Sequence, residues 1–157
     1  MAYAILRTRK ISTPGQMAGM QRHNDRTNNV WNADPDMTYA NHTYSQFKTG
    51  NLRTDIENRI AKKGVKQRKN SVLAVEHLMT FSPEFCQFKK MKNDDGSYKI
   101  VSNKKGDVDR WKDFKKSAIE WLKDRYGKQN IVHMSIHLDE RTPHIHAYVT
   151  PITEKEV

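Results

Sequence analysis

Four segments of the chain carry the hydrophobic pattern of β-strands. Apolar and polar side chains alternate in residues 3–10, 131–137 and 144–149, and branched and apolar side chains dominate residues 71–82. Alternation with a period of two puts one face of a strand against the core, whereas a nearly continuous apolar run is typical of a central strand. The pattern therefore predicts a sheet with residues 71–82 near its middle.

Three further segments have the features of helices. Residues 16–26 form a short candidate, and residues 52–64 carry apolar side chains every four positions before a glycine that can end a helix. The clearest helix begins at Asp107 or Asp109, either of which could be its N-cap, and stops at Gly127. Its tryptophans and Phe lie on one helical stripe, which we expect to pack against the sheet.

Two polar segments separate these elements. Residues 27–50 are rich in asparagine and aspartate and contain Pro35, which predicts an ordered loop with little regular structure. Residues 93–107 contain several lysines and the turn-forming pair Asp95 and Gly96. This second segment is predicted to form a hairpin or loop.

The last two predicted strands have one apolar face and one face that carries histidines. Val132, Met134 and Ile136 alternate with His133, Ser135 and His137, and Ile145, Ala147 and Val149 alternate with His144, His146 and Tyr148. If the strands pair antiparallel across residues 138–143, the apolar faces turn to the helices and the histidines share the opposite face. The sequence predicts one α+β domain, an antiparallel sheet with helices packed mainly on one face.

The size and charge of the chain limit its function classes. The 157 residues suit one domain, and a formal net charge of +10 makes nucleic acid the leading partner, with a merely soluble basic protein as the alternative. The single cysteine, Cys86, excludes an internal disulfide and any multi-cysteine metal site. No apolar run approaches the ~20 residues of a membrane span, and the start lacks a signal peptide pattern. We therefore expect a cytoplasmic protein with no membrane segment.

His137, His144 and His146 are candidate metal ligands. Two histidines at i and i+2 point the same way from a strand, and a third from a neighbouring strand completes a facial set that leaves coordination positions open for substrate or water. Glu140 or Asp139, in the connecting turn, could orient a histidine or a nucleophile. The alternative is that each histidine faces solvent or makes one ordinary hydrogen bond. A metalloprotease is disfavoured because no H-E-x-x-H motif is present and residues 137–141 fail the inverted form at the last position.

Four stretches of this sequence together resemble the MobV (Mob/Pre) plasmid mobilisation relaxases, which are HUH endonucleases. These are "HLDERTPHIH" at 137–146, "RHNDR" at 22–26, "ADPDMTYAN" at 33–41 and the start "MAYAILRTRKI". The resemblance covers almost the whole chain. It implies an HUH-type fold, with residues 1–157 as a single relaxase catalytic domain that is the N-terminal part of a longer protein.

The resemblance also implies a reaction. Such relaxases cut one DNA strand at an origin of transfer by transesterification and keep the 5′ phosphate covalently on the protein. The matching motif puts the nucleophile at His23, with Glu140 to take up its proton or orient it and Arg26 to hold a phosphate. The alternatives are a DNA-contacting or exposed histidine at position 23 and a salt bridge at Arg26.

The resemblance further suggests which residues bind DNA and which metal is used. Arg22, Arg26, Asn41 and Tyr44 are candidate DNA contacts, although Asn41 could equally be a turn residue. This chain has "NHTY" where some relatives have asparagine followed directly by tyrosine, so Tyr39 and Tyr44 stay open as alternative nucleophiles.

The implied metal is Mn²⁺, with Mg²⁺, Zn²⁺, Ni²⁺, Co²⁺ or iron as alternatives, since imidazole ligands do not by themselves select one ion. The expected partners are single-stranded or supercoiled origin-of-transfer DNA and other proteins of the transfer machinery. A rolling-circle replication initiator on a similar core, and a DNA-binding module with a structural metal, are the competing functions.

Overall fold

The computed structural model describes residues 1–153 and contains a five-stranded sheet, a separate hairpin and three α-helices. The elements in chain order are β1 (Ala4–Ile11), α1 (Pro14–Asn24), a 3₁₀ turn (Thr38–Ala40), β2 (His42–Ser45), α2 (Leu52–Lys63), β3 (Ala74–Phe81), β4 (Phe88–Lys92), β5 (Tyr98–Ser102), α3 (Asp107–Tyr126), a 3₁₀ turn (Lys128–Asn130), β6 (Ile131–His137) and β7 (His144–Val149). The large sheet has the order β1-β3-β7-β6-β2 with antiparallel pairs, and β4 pairs with β5. The predicted α+β class, the antiparallel sheet and the near-central place of β3 are confirmed.

Helices cover both faces of the sheet, rather than mainly one face as expected. On one face, α3 packs Trp111, Ala118 and Leu122 against the apolar side chains of β6 and β7. On the other face, α1 and α2 form a second core with Ile11, Ala74, Val132 and Tyr148 of the strands. The apolar residues of α1 and α2 need a partner surface, and the histidine-bearing face supplies it. Throughout residues 1–153, every helix is too short or too polar to span a bilayer.

A bulge in β6 changes the faces expected for its first residues. Ile131 pairs with Val149 and His133 with Tyr148, so Val132 is an extra residue between two paired positions. Val132 therefore joins the core under α1 and α2, and the expectation that it shares a face with Met134 is wrong. Alternation along one strand could not predict this shift in register, because the shift depends on how β6 pairs with β7.

Capping residues set the ends of the helices, and two of the helix starts differ from those predicted. α1 begins at Pro14, two residues before the predicted start, because Thr13 and Gln16 form a reciprocal capping box. Gly64 ends α2 in the left-handed conformation, as predicted. The N-cap of α3 is Gly106 rather than Asp107 or Asp109.

The segment predicted as an irregular loop contains the edge strand β2. Its four residues, His42–Ser45, are polar and largely exposed, so they carry no hydrophobic alternation to detect. β2 pairs with β6, with His42 opposite Ile136 and Tyr44 opposite Met134. This pairing brings the residues around Asn41 next to the end of β6.

Candidate metal centre

The predicted metal ligands His137, His144 and His146 lie together on the sheet face covered by α1 and α2. Antiparallel pairing of β6 and β7 sets His137 opposite His144, and His146 follows two residues later on the same face. The ring centroids are 5.0 Å apart for His137 and His144, 5.1 Å for His137 and His146, and 5.1 Å for His144 and His146. The structure thus brings the three residues into one buried cluster.

The ring nitrogens of this cluster are poorly satisfied by protein groups. Nδ1 of His144 lies 3.0 Å from the carbonyl oxygen of Thr142, and because a carbonyl only accepts, this nitrogen carries the proton and Nε2 keeps a lone pair. That Nε2 is 3.1 Å from Nδ1 of His137. Nε2 of His137 and both nitrogens of His146 are buried with no hydrogen-bond partner among residues 1–153. A buried unpaired nitrogen is costly, and a bound cation would satisfy it.

The electrostatics of the cluster favour neutral imidazoles. Burial, together with the adjacent His146 and His144, lowers the pKa of His137 to about 2. The pKa of His144 is lowered by burial and then by His146. A metal-ligating histidine must be deprotonated on the ligating nitrogen, so both residues are ready to bind a cation at neutral pH.

The donor atoms fall into two overlapping sets of three. In one set, His23, His137 and His146 each place a nitrogen within 4.8 Å of the others; in the second, His137, Glu140 and His144 do the same. His137 belongs to both sets. His23 is therefore a candidate ligand in addition to the nucleophile role that the family resemblance implies. Imidazole nitrogen donors suit Mn, Fe, Co, Ni and Zn better than Mg.

His23 lies in the last turn of α1 and faces the cluster. Its ring centroid is 5.9 Å from that of His137 and 5.7 Å from that of His146. The side chain is half-buried, and burial, followed by the nearby His146 and Arg26, lowers the pKa of the ring. A neutral imidazole beside a metal site has a lone pair available for attack on phosphorus.

Arg26, the expected phosphate ligand, makes ion pairs with both acids of the metal motif. It has a left-handed backbone with φ of 59°, and its guanidinium contacts the two carboxylate oxygens of Asp139 at 2.9 and 2.7 Å. It also donates to Glu140 at 2.8 Å and to the carbonyl oxygen of His23 at 3.1 Å. Burial opposes ionisation of Asp139, but Arg26 and Thr38 hold the pKa of this carboxyl at about 2. The guanidinium is thus occupied by two carboxylates, which corresponds to the salt-bridge alternative.

Glu140 lies beside the cluster without a hydrogen bond to His23 in the described part of the chain. One oxygen accepts from Arg26 and the other from the side chain of Asn32 at 3.1 Å. The first oxygen is also 3.7 Å from Nε2 of His144. Arg26 bridges Glu140 and the backbone of His23, and Glu140 itself lies beside His144, a candidate metal ligand.

The candidate DNA contacts and Tyr39 lie in different parts of the structure around the histidine cluster. Arg22 is exposed on α1. Asn41 accepts a hydrogen bond from the backbone nitrogen of Leu138 at 2.7 Å and so fixes the end of β6. Tyr44 pairs with Met134, whose side chain belongs to the α3 core, so Tyr44 lies on the sheet face opposite the histidines. Tyr39 accepts a hydrogen bond from the backbone nitrogen of Ile100 in the hairpin.

One contributor to the site, Glu76, was missed by the sequence reasoning. Its Oε2 lies 3.4 Å from Nδ1 of His146 and accepts a hydrogen bond from the hydroxyl of Tyr148 at 2.8 Å. Burial raises the pKa of Glu76, but these contacts with His146 and Tyr148 outweigh it and the net pKa is lowered. A lone acid in a strand as apolar as residues 71–82 was the available signal, because such an acid needs buried partners.

Comparison with known proteins gives concordant matches along the chain. A family model described as a plasmid recombination enzyme, Mob_Pre, matches residues 1–157. A plasmid recombination enzyme type 3 of Staphylococcus aureus is 29% identical over 160 residues, covering 98% of this chain and 35% of the relative. A type 2 enzyme of Staphylococcus aureus strain Mu50 is 31% identical over 162 residues, with 98% and 34% covered.

A solved structure has the same fold. It is the MobM relaxase domain bound to plasmid pMV158 oriT DNA in a Mn-bound crystal form, with a TM-score of 0.75 and 25% sequence identity. The match covers 96% of this chain and 72% of that chain. This chain therefore spans 72% of that solved chain and about a third (35%) of the length of the type 3 relative.

Proposed function

The chain belongs to the Mob_Pre family of plasmid recombination enzymes, and on this basis we propose that it is a metal-dependent relaxase that nicks one strand of DNA at an origin of transfer. Residues 1–157 would act as one catalytic domain. The observation that carries the proposal is the cluster of His137, His144 and His146, buried and with unpaired nitrogens, next to the ring of His23. A buried cluster of this kind is unfavourable without a cation and suits phosphate chemistry with one.

His137, His144 and His146 would hold the metal. Mn²⁺ is the first choice because the MobM relaxase domain structure is Mn-bound, and Mg²⁺, Zn²⁺, Ni²⁺ and Co²⁺ are alternatives. When bound, the cation would withdraw charge from the scissile phosphate and so lower the barrier to attack. Glu140, 3.7 Å from His144, is placed to complete or orient the set.

His23 would be the nucleophile. Attack by a ring nitrogen forms a phosphorus–nitrogen bond while the bond to the 3′ oxygen breaks, so the 5′ phosphate stays on the protein and the cut strand ends in a 3′ hydroxyl. The lowered pKa of His23 keeps the attacking ring neutral at physiological pH. Tyr44 lies on the other face of the sheet, which argues against it as the nucleophile.

Arg26 would position the site rather than bind the phosphate. Its guanidinium joins Asp139 and Glu140 of the metal motif to the backbone of His23. The triple contact fixes the end of α1 relative to the turn between β6 and β7. Catalysis is sensitive to such placement, because misplacement by about 1 Å can lower a rate by about 100-fold.

The reaction is tested by searching for the covalent intermediate. The protein is incubated with Mn²⁺ and labelled single-stranded origin DNA and then run on a denaturing gel. We expect an adduct that is acid-labile, as a phosphoramidate is, and that is lost in His23→Ala but kept in Tyr44→Phe. DNA attached to a peptide containing Tyr39 or Tyr44 would overturn the assignment of His23. Binding of metal and DNA with no adduct at all would instead indicate a binding module.

DNA binding should depend steeply on salt. Lysine and arginine exceed acidic residues by ten, and a protein that neutralises several phosphates releases their counterions. We expect the logarithm of DNA affinity to fall linearly with the logarithm of salt concentration in a fluorescence anisotropy titration. Arg22→Ala should reduce the magnitude of this slope by about one, the value expected for one lost phosphate contact. The side chain of Arg22 is exposed on α1, the helix that carries His23. A slope near zero for the unmodified protein would contradict an electrostatic DNA interface.

A further inference from the structure

A chain of polar contacts beneath the histidine cluster links a candidate metal ligand to the helix that carries His23. The side-chain nitrogen of Asn24 lies 2.8 Å from the hydroxyl of Tyr148, and this hydroxyl lies 2.8 Å from Oε2 of Glu76. The same Oε2 is 3.4 Å from Nδ1 of His146. Asn24 directly follows His23 in the chain, so the contacts run from the neighbour of the nucleophile to the metal cluster.

The sheet register brings these side chains together. Glu76 on β3 is directly opposite Tyr148 on β7, and Leu78 is opposite His146. Residues two apart on a strand share a face, so Glu76 reaches both Tyr148 and His146 from one position. Tyr148 is fully buried in the core beneath α1 and α2, and Asn24 is 7% exposed. The contact between Asn24 and Tyr148 is therefore largely shielded from solvent.

The donors and acceptors of the chain have one consistent direction. A carboxylate only accepts, so the hydroxyl of Tyr148 donates to Glu76, and the amide of Asn24 donates to the oxygen of Tyr148. On this face Glu76 also lies beside Nδ1 of His146, which can place its proton toward the carboxylate, and opposite Arg9 of β1, whose charge favours the ionised carboxylate. Nε2 of His146 is then left with its lone pair. In metal sites, a carboxylate behind a ligating histidine commonly fixes the ring in this way.

We propose that Glu76, Tyr148 and Asn24 are positioning residues that fix His146 as a metal ligand through Nε2 and hold the His23 turn at a set distance from it. This inference rests on the proposed function, in which His146 binds the metal and His23 attacks. Glu76 orients the ring of His146. Tyr148 and Asn24 connect Glu76 to the last turn of α1 by hydrogen bonds. The two parts have separate experimental consequences.

The first part is tested on metal binding, with Mn²⁺ alone as the probe. Glu76→Gln keeps the size of the side chain but removes the charge that orients His146, and Mn²⁺ affinity measured by calorimetry should fall by about 10- to 100-fold. Nitrogen NMR of the metal-free protein should show the proton of His146 on Nδ1, and this preference should be lost in the variant. Unchanged affinity together with an unchanged proton position would overturn the role of Glu76. If Glu76→Gln does not fold, Glu76→Asp tests the same point, because its shorter side chain withdraws the carboxylate from His146.

The second part is tested on the rate of cleavage. Tyr148→Phe removes one hydroxyl, and we expect Mn²⁺ affinity to change little, whereas single-turnover nicking at saturating Mn²⁺ slows by about 10-fold or more because His23 is less well placed. Asn24→Ala should have the same effect. A Tyr148→Phe protein that cleaves at the unmodified rate would overturn the link to α1.

Tyr126→Phe is the matched control for Tyr148→Phe. Tyr126 also makes a hydrogen bond with a buried histidine, because its hydroxyl donates to Nε2 of His77 at 2.9 Å, but it does so on the α3 face. The Tyr126→Phe protein should be less stable to unfolding, with unchanged Mn²⁺ affinity and nicking rate. If the unmodified protein forms no DNA adduct, the proposed function fails, while the calorimetric comparison still decides the role of Glu76.

Discussion

His77 and His146 are both buried histidines of neighbouring strands, β3 and β7, but their ring nitrogens differ in hydrogen bonding. His77 faces α3 and has a partner for each nitrogen, the carbonyl oxygen of Val75 at 3.2 Å and the hydroxyl of Tyr126 at 2.9 Å. His146 faces α1; its Nδ1 has only the 3.4 Å contact with the carboxylate of Glu76, and its Nε2 has no partner among the described residues. The difference separates a structural histidine from a candidate ligand, since burial alone is common to both.

The same contrast holds for the two faces of the sheet. The α3 face is closed by apolar and aromatic side chains, including Phe81, Phe114 and Trp111. The other face contains a cavity of about 430 Å³ lined by residues that include His23, His144 and His146. The α3 face is closed by its core, whereas the other face has both a core under α1 and α2 and unsatisfied polar groups where a cation and a phosphate would fit.

The largest expected effect separates the two histidines directly. His146→Ala should abolish nicking and weaken Mn²⁺ binding while DNA binding is largely kept, because it removes a ligand from the cluster. His77→Gln should lower the melting temperature but keep cleavage at saturating Mn²⁺. Gel assays of nicking, with anisotropy for DNA binding, check both. Full nicking by His146→Ala would contradict the assignment of the metal site.

A second effect is the stabilisation of the fold by metal. At a free Mn²⁺ concentration 100 times its dissociation constant, the free energy of unfolding should rise by about 2.7 kcal/mol, because the ion binds the folded state alone. The rise should disappear in His137→Gln, which loses the residue common to both donor sets, and persist in Tyr126→Phe. Urea unfolding with Mn²⁺ or with EDTA measures it. Equal stabilisation of His137→Gln would place the ion elsewhere.

The smallest effect is a pH dependence of the metal-free protein. Burial lowers the folded-state pKa values of His137, His144 and His77, and neighbouring histidines lower the first two further. Below the unfolded value of about 6.5, the unfolded chain binds protons that the folded chain does not, so stability falls with falling pH. Each residue contributes at most about 1.4 kcal/mol per pH unit.

Urea unfolding between pH 7.5 and pH 5.5 in EDTA checks this expectation. His137→Gln should flatten the dependence because it removes one of the histidines with a lowered pKa, which also include His23. A dependence identical to that of the unmodified protein would show that His137 does not remain neutral in the folded state.

Local sequence patterns determined much of this protein. Alternation in residues 131–137 and 144–149, together with antiparallel pairing across the short turn between them, was sufficient to predict that His137, His144 and His146 share a face. The end of α2 at Gly64 and the aromatic stripe of α3 were also predicted from local sequence, because glycine commonly ends helices and a helix repeats about every 3.6 residues. The motifs at 22–26 and 137–146 indicated the family, and the family model match confirms it.

Only the tertiary structure decided which partners these side chains have. Arg26 meets Asp139 across 113 positions, and Tyr148 meets Glu76 across 72. Such pairs depend on strand order and register, which no local period contains. The bulge at Val132 is one of these features, because it is defined by two strands together. Spacing along the chain fixed which residues face the site, and the pairing of distant strands fixed which of them are left unpaired there.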